Sequence, residues 1–175
     1  MGLKPHFTSL HTSLRLKPYR SLTHSIYTCS MNSGNTKSPI ELKLRIDWSE
    51  MDEFSHVNNV MFFKYIQSAR VNYWEQTGIY KKFKEEGIGP MVLSVNCRFI
   101  KPLYYPGEIS IHTKTVFIQN TSFSFEHKIY NHLNECVAEA TDILVMYDFN
   151  SNQKHVFPVH LRQAIEQIEG KSFSD

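Results

Sequence analysis

Arg45-Ile46-Asp47-Trp48-Ser49-Glu50-Met51-Asp52-Glu53-Phe54-Ser55-His56-Val57-Asn58-Asn59 runs without a break into Val60-Met61-Phe62-Phe63-Lys64-Tyr65-Ile66-Gln67-Ser68-Ala69-Arg70. Leading into it, Leu42, Leu44 and Ile46 alternate with polar residues, the period of a half-buried strand. An acidic loop follows, and the loop opens onto a long helical pattern. The spacing predicts a helix from Asn58 to Thr77 with Gly78 as its C′ residue. Phe62, Ile66, Ala69 and Tyr73 fall on one stripe, with Phe63 and Trp74 on its flank. Lys64, Gln67, Ser68, Asn72 and Glu75 take the other side. A helix of ~30 Å at 1.5 Å per residue needs a broad apolar surface to lie on.

The rest of the chain supplies that surface as strands. Leu93, Val95, Cys97 and Phe99 alternate along a second strand, which ends at Lys101-Pro102. After the turn Tyr105-Pro106-Gly107-Glu108, a third strand reads through Ile109, Ile111, Thr113, Thr115 and Phe117. A fourth carries Phe123, Phe125, His127 and Ile129, and a long fifth runs from Cys136 to Tyr147. Turns of two to five residues between consecutive strands favour antiparallel pairing. Pro158 opens a short terminal helix through Leu161, Ile165 and Ile168. One long helix followed by an antiparallel meander is an α+β layout, in which the strand order stays open.

The series Asp52, Ser55-His56-Val57-Asn58-Asn59, aromatics and then Ala69-Arg70 resembles the thioesterase branch of the hotdog superfamily, the 4-hydroxybenzoyl-CoA thioesterase-like enzymes. Their usual pattern is Asp, two residues, Gly-His-Val-Asn-Asn, a Tyr, and later Ala-Arg. The likeness extends over nearly all of 39–170, including the Lys101-Pro102 to Pro106-Gly107-Glu108 segment and the Asn120-Thr121-Ser122-Phe123 turn. It implies the hotdog fold, an antiparallel sheet wrapped round one long central helix. It further implies an acyl-CoA thioesterase acting on a fatty or aryl acyl chain, without a cofactor. Ser55 stands where the family has Gly, so a loop needing positive φ there is strained. Phe62 replaces the common Tyr, which removes a hydroxyl.

Thioester hydrolysis needs a carboxylate that attacks the acyl carbon or activates water, and donors for the oxyanion that develops. A carboxylate just ahead of a helix N-terminus has both to hand, because first-turn N–H groups lack intrahelical partners. The resemblance makes Asp52 the nucleophile or base and the Asn59 backbone amide the group that polarises the carbonyl. His56 and Asn58 are the other candidates for substrate contact. Plain structural roles stand beside these. Ser49-x-x-Asp52 reads as a capping box, or Asp52 only orders the loop. Asn58 and Asn59 suit an N-cap, and His56 suits a hydrogen-bonded loop position. Glu50 and Glu53 read as solvated acids, and Arg70 as a partner in an ion pair. Arg98 and Lys101 are candidates for a coenzyme's phosphates, but scattered surface cations usually carry no function. Two other readings use the same fold: a non-enzymatic acyl-thioester binder, and a hydratase or dehydratase. The second needs an Asn-Pro step that this loop lacks.

Composition narrows the partners. Residues 1–40 hold Lys4, Arg15, Lys17, Arg20 and Lys37 and no acid, which leaves 14 basic against 17 acidic residues downstream. A domain with that balance lacks the clustered cations of a nucleic-acid face. No apolar run approaches the ~18 residues of a membrane span. Cys29, Cys97 and Cys136 are odd in number and far apart, a reducing-compartment pattern without metal-ligand spacing, and no metal is expected. Residues 1–38 have the composition of a transit peptide, for the mitochondrion or alternatively the plastid. A disordered basic tail is the plainer reading, and a start at Met31 gives a cytosolic product. The expected partner is acyl-CoA or an acyl carrier protein thioester. Exposed strand edges, together with the resemblance, imply a homodimer or homotetramer.

Overall fold

The computed structural model describes residues 40–173; the leader assigned to residues 1–38 lies outside them. Strand β1 is Ile40–Arg45, a 3-10 turn covers Trp48–Glu50, and helix α1 spans Asn59–Thr77. Helix α2, Ile79–Glu86, leads into strands β2 (Ile88–Phe99), β3 (Glu108–Ile118), β4 (Ser122–Asn131) and β5 (Cys136–Asp148). A two-residue β6, Gln153–Lys154, and helix α3, Val159–Glu169, complete the domain.

All pairings are antiparallel, in the order β1-β3-β4-β5-β2, with β6 alongside the end of β5. The meander β3-β4-β5 forms the centre. The two strands that flank α1 in sequence, β1 and β2, sit at opposite edges. This curled sheet with α1 packed on it is the α+β hotdog architecture.

Both ends of α1 follow local chemistry. The Asn58 side chain accepts from the Val60 N–H at 3.0 Å, satisfying one orphan donor of the first turn. Gly78 takes φ +82°, a left-handed turn that an L side chain resists, and so ends α1. The same glycine starts α2, a helix that the periodicity of α1 did not predict.

Phe62, Ile66, Ala69 and Tyr73 are all buried, as the stripe requires. The helix is less cleanly two-faced than its sequence suggests. Tyr65 and Arg70 share the buried face, while Val60 and Phe63 are exposed. Around the first half of α1 the core gathers Ile46, Ile109, Ile111, Ile129 and Ala138. Around Tyr73 it gathers Ile79, Phe123, Phe125, Leu144 and Ile165. The ion pair expected of Arg70 is present: its guanidinium reaches Asp142 at 2.9 Å in the buried interior.

Strand β2 departs most from its pattern. It begins at Ile88, five residues before the alternation becomes visible, and its register with β5 shifts between Val92 and Ser94. Val95 and Cys97 pack on the core and Phe99 leans on Phe62 of α1 while 45% exposed, whereas Leu93, at the register shift, is 57% exposed. The bulge reorients the strand there.

Candidate active site

Between β1 and α1 the chain folds into a small closed loop. Met51 and Val57 form an isolated antiparallel bridge, and the Asp52 N–H donates to the His56 carbonyl at 2.7 Å. Inside this ring Asp52 Oδ1 accepts from the Phe54 N–H at 2.9 Å and the His56 N–H at 3.1 Å. One oxygen of the carboxylate therefore orders the loop, as one structural reading of Asp52 supposed. No hydrogen bond to the other oxygen is formed among the described residues. Ser55 has φ +62°, so the position that the family fills with Gly does need the left-handed conformation. The Val57 N–H donates to the Leu103 carbonyl, tying the loop to the segment before β3.

A capping box is present, but not between Ser49 and Asp52. Asp47 is the N-cap of the 3-10 turn: its Oδ1 accepts from the Ser49 N–H, and its own N–H donates to Glu50 Oε2 at 3.0 Å. Glu50 is consequently not solvated. It is 5% exposed, and Oε2 also accepts from the Tyr65 hydroxyl at 2.5 Å while Oε1 meets Lys64 Nζ at 3.0 Å. Burial works against the Glu50 carboxylate, but the Tyr65 hydroxyl, the Asp47 amide and the Lys64 ammonium outweigh it and hold the group below its ordinary value. Burial, with Glu50 next, pushes the Tyr65 phenol far above its ordinary range, so it stays a neutral donor. Glu53 is exposed, as expected.

Asp52 sits at the meeting of two clefts. One, of about 440 Å³, is lined by Asp52, His56, Asn59, Phe62, Phe99, Ile100 and neighbours. The other, of about 610 Å³, is lined by Trp48, Ser49, Met51, Asp52, Ser55 and Tyr105. Each has the size of a small-molecule site, roughly 300–1,000 Å³. The first has an apolar wall in which Phe62 and Phe99 meet edge to face at 5.1 Å. Asn59, the first residue of the helix, lines the same cleft, and its N–H makes no hydrogen bond among the described residues. Asp52 and Asn59, the first residue of α1, thus line one opening.

The other candidates divide. His56 lines the Asp52 cleft and stacks edge-on against Tyr104, with ring centroids 5.1 Å apart. The Asn58 side chain is used by its cap, and Asn58 lines neither cleft. Lys101 reaches the cleft wall, but its Nζ is paired with Glu135 at 2.6 Å; Arg98 pairs with Glu139. Among the described residues no group of three or more His, Cys, Asp and Glu is arranged to hold a metal ion, and no helix is long and apolar enough to cross a membrane. Sequence reasoning missed the Glu50–Tyr65 contact. Its signal was Asp47 three residues before Glu50, with Tyr65 on the helix face between Phe62 and Ala69.

The sequence profile of the thioesterase-like superfamily matches residues 46–165, and the chain belongs to that family. A thioesterase from Thermus thermophilus, solved with coenzyme A and zinc, superposes with a TM-score of 0.70 at 23% identity, over 79% of this chain and 99% of that one. A DHNA-CoA thioesterase from Staphylococcus aureus gives 0.67 at 15% identity, over 74% and 90%. At these identities the likeness is one of fold. An Aquifex aeolicus (strain VF5) protein with a provisional esterase name is 24% identical over 93 residues, 53% of this chain and 73% of its own length.

Proposed function

We propose that the protein hydrolyses an acyl-CoA, releasing the free acid and the coenzyme thiol. One observation carries this reading: Asp52 and Asn59, whose N–H at the start of α1 makes no hydrogen bond among the described residues, line one cleft with an apolar wall. The acyl chain lies against Phe62, Phe99 and Ile100, and the thioester carbonyl oxygen points at the Asn59 N–H. The carrier arm leaves past Trp48 and Tyr105 in the adjoining cleft. Asp52 either takes a proton from water as the water adds to the carbonyl carbon, or adds through its own oxygen to form an anhydride that water then opens. In both routes the C–S bond breaks, the sulfur leaves with the bonding pair, and the thiolate is protonated. Charge growing on the carbonyl oxygen is met by the Asn59 amide and the positive end of the helix.

The working unit in this proposal is a homodimer or homotetramer. Among the described residues strand β2 has only β5 as a neighbour, and Val92, Leu93, Phe99 and Ile100 are exposed along it or just beyond it. A second copy would cover both the free edge and these side chains. Residues 1–38 are proposed to direct the chain to the mitochondrion, from their five cations and absence of acids.

A thiol-release assay over acyl-CoAs of graded length and an aryl-CoA tests the activity. Release from at least one class is expected. Tight acyl-CoA binding without release would favour the binding-protein reading, and loss of enoyl absorbance without release would favour a hydratase. A parallel panel on acyl carrier protein separates the two carriers.

A further inference from the structure

Glu50 links two parts of the chain that must keep a fixed distance. Its carboxylate holds the second turn of α1 through the Tyr65 hydroxyl at 2.5 Å and Lys64 Nζ at 3.0 Å. Its backbone carbonyl accepts from the Asn58 N–H at 2.9 Å, the residue that caps the same helix. Two residues further on is Asp52, and the intervening Met51 bridges to Val57. One residue thus clamps α1 at its cap and one turn into its body, while its chain neighbours carry the reactive carboxylate. We infer that Glu50, held by Tyr65, is a positioning residue, which fixes Asp52 against the first amide of α1; this rests on the hydrolytic reading above.

The physical case is one of geometry and permanence. A carboxylate 5% exposed and hydrogen-bonded to a buried phenol has far less freedom than a solvated acid. Lys64 is 63% exposed on its side chain, so it closes the outer side of the pair while Tyr65 fixes the inner side. Glu50 touches neither cleft and has no direct part in the bond-breaking. Its effect passes through the placement of Asp52 and Asn59, where a shift of ~1 Å is worth up to about a hundredfold in rate.

The test compares Tyr65→Phe and Glu50→Gln with wild type, Glu53→Gln and Asp52→Asn in the full chain. Three quantities are read at a temperature well below every melting point. These are kcat and KM for thiol release, hydrogen exchange of the amides of residues 52–60, and the melting curve. Tyr65→Phe, which removes one oxygen and leaves every apolar contact, is the mild variant should Glu50→Gln fail to fold. In a folded Tyr65→Phe protein kcat is expected to fall about tenfold or more with KM within about threefold. Exchange at 52–60 is expected to quicken while that of β4 and β5 is unchanged. Loss of melting temperature with kcat intact would reduce the pair to a structural contact and overturn the inference. Unchanged exchange at 52–60 would overturn it as well. If wild type released no thiol from any substrate, the hydrolytic reading would fail, and with it the positioning role. The exchange data would then report only whether Glu50 orders the loop.

Discussion

Glu50 and Asp52 are two residues apart, and their carboxylates live in opposite surroundings. Glu50 is enclosed by a phenol, an amide and an ammonium. Asp52 uses one oxygen on its own loop and opens on two clefts with the remainder of its surface. The enclosed acid contributes stability with a definite pH dependence. Its folded pKa is below the unfolded value of 4.5, so its contribution is complete above that value and is lost as pH falls through the folded one. Urea unfolding at pH 7 is expected to show Glu50→Gln destabilised by roughly 1.5–3 kcal/mol, the value of hydrogen bonds to a buried charge. At about pH 3.5 the gap between variant and wild type narrows. A constant gap across that range would mean that the ionised form of Glu50 gives no special stability. Tyr73 repeats the device at the other end of α1, its hydroxyl meeting Thr115 Oγ1 at 2.7 Å and Glu169 Oε1 at 2.5 Å.

Element boundaries depend on single residues. Asn58→Ala removes the only side-chain cap of α1 and is expected to cost about 1 kcal/mol, read as a lower melting temperature. Because Asn58 lines neither cleft, KM should stay within about threefold. The boundaries of α1 were legible for this reason: a capping Asn stands at one end and a Gly at the other. The central strands were legible from their period of two, since β3, β4 and β5 alternate over a buried face. Helix α2 was not, because Gly78, which does end α1, gives no sign that a second helix starts directly after it. The start of β2 was hidden by Gly89 and Pro90, residues that usually break strands. At the candidate site the resemblance named Asp52 and Asn59, and the two residues do line one cleft. Glu50 was misread because acids in an acidic loop are usually solvated. Its burial is made tolerable by the nearby Asp47 amide together with two groups far along the chain, the Lys64 ammonium and the Tyr65 hydroxyl, 14 and 15 positions away.

At the scale of the molecule the exposed edge of β2 sets the first expectation. Leu93 lies at the bulge on that edge and is 57% exposed. Light scattering is expected to give a dimer or tetramer for wild type and a smaller species for Leu93→Glu, because a buried interfacial charge without a partner opposes association. A fully active wild-type monomer would remove the oligomer from the account. A fluorescent reporter fused to residues 1–38 is expected to reach mitochondria, and diffuse cytosolic signal would contradict that. The proposed activity turns on one residue, Asp52. The most direct measurement is steady-state thiol release by Asp52→Asn beside wild type and Glu53→Gln, on the acyl-CoA that wild type cleaves fastest. Asp52→Asn keeps the size of the side chain and removes the charge that attacks or takes a proton. The account predicts that kcat falls at least ~100-fold, the usual range for losing a general base being about 10²–10⁴. It predicts that Glu53→Gln, exposed to solvent, remains within about threefold of wild type. Activity in a folded Asp52→Asn protein close to that of wild type, or an equal loss in Glu53→Gln, would contradict it.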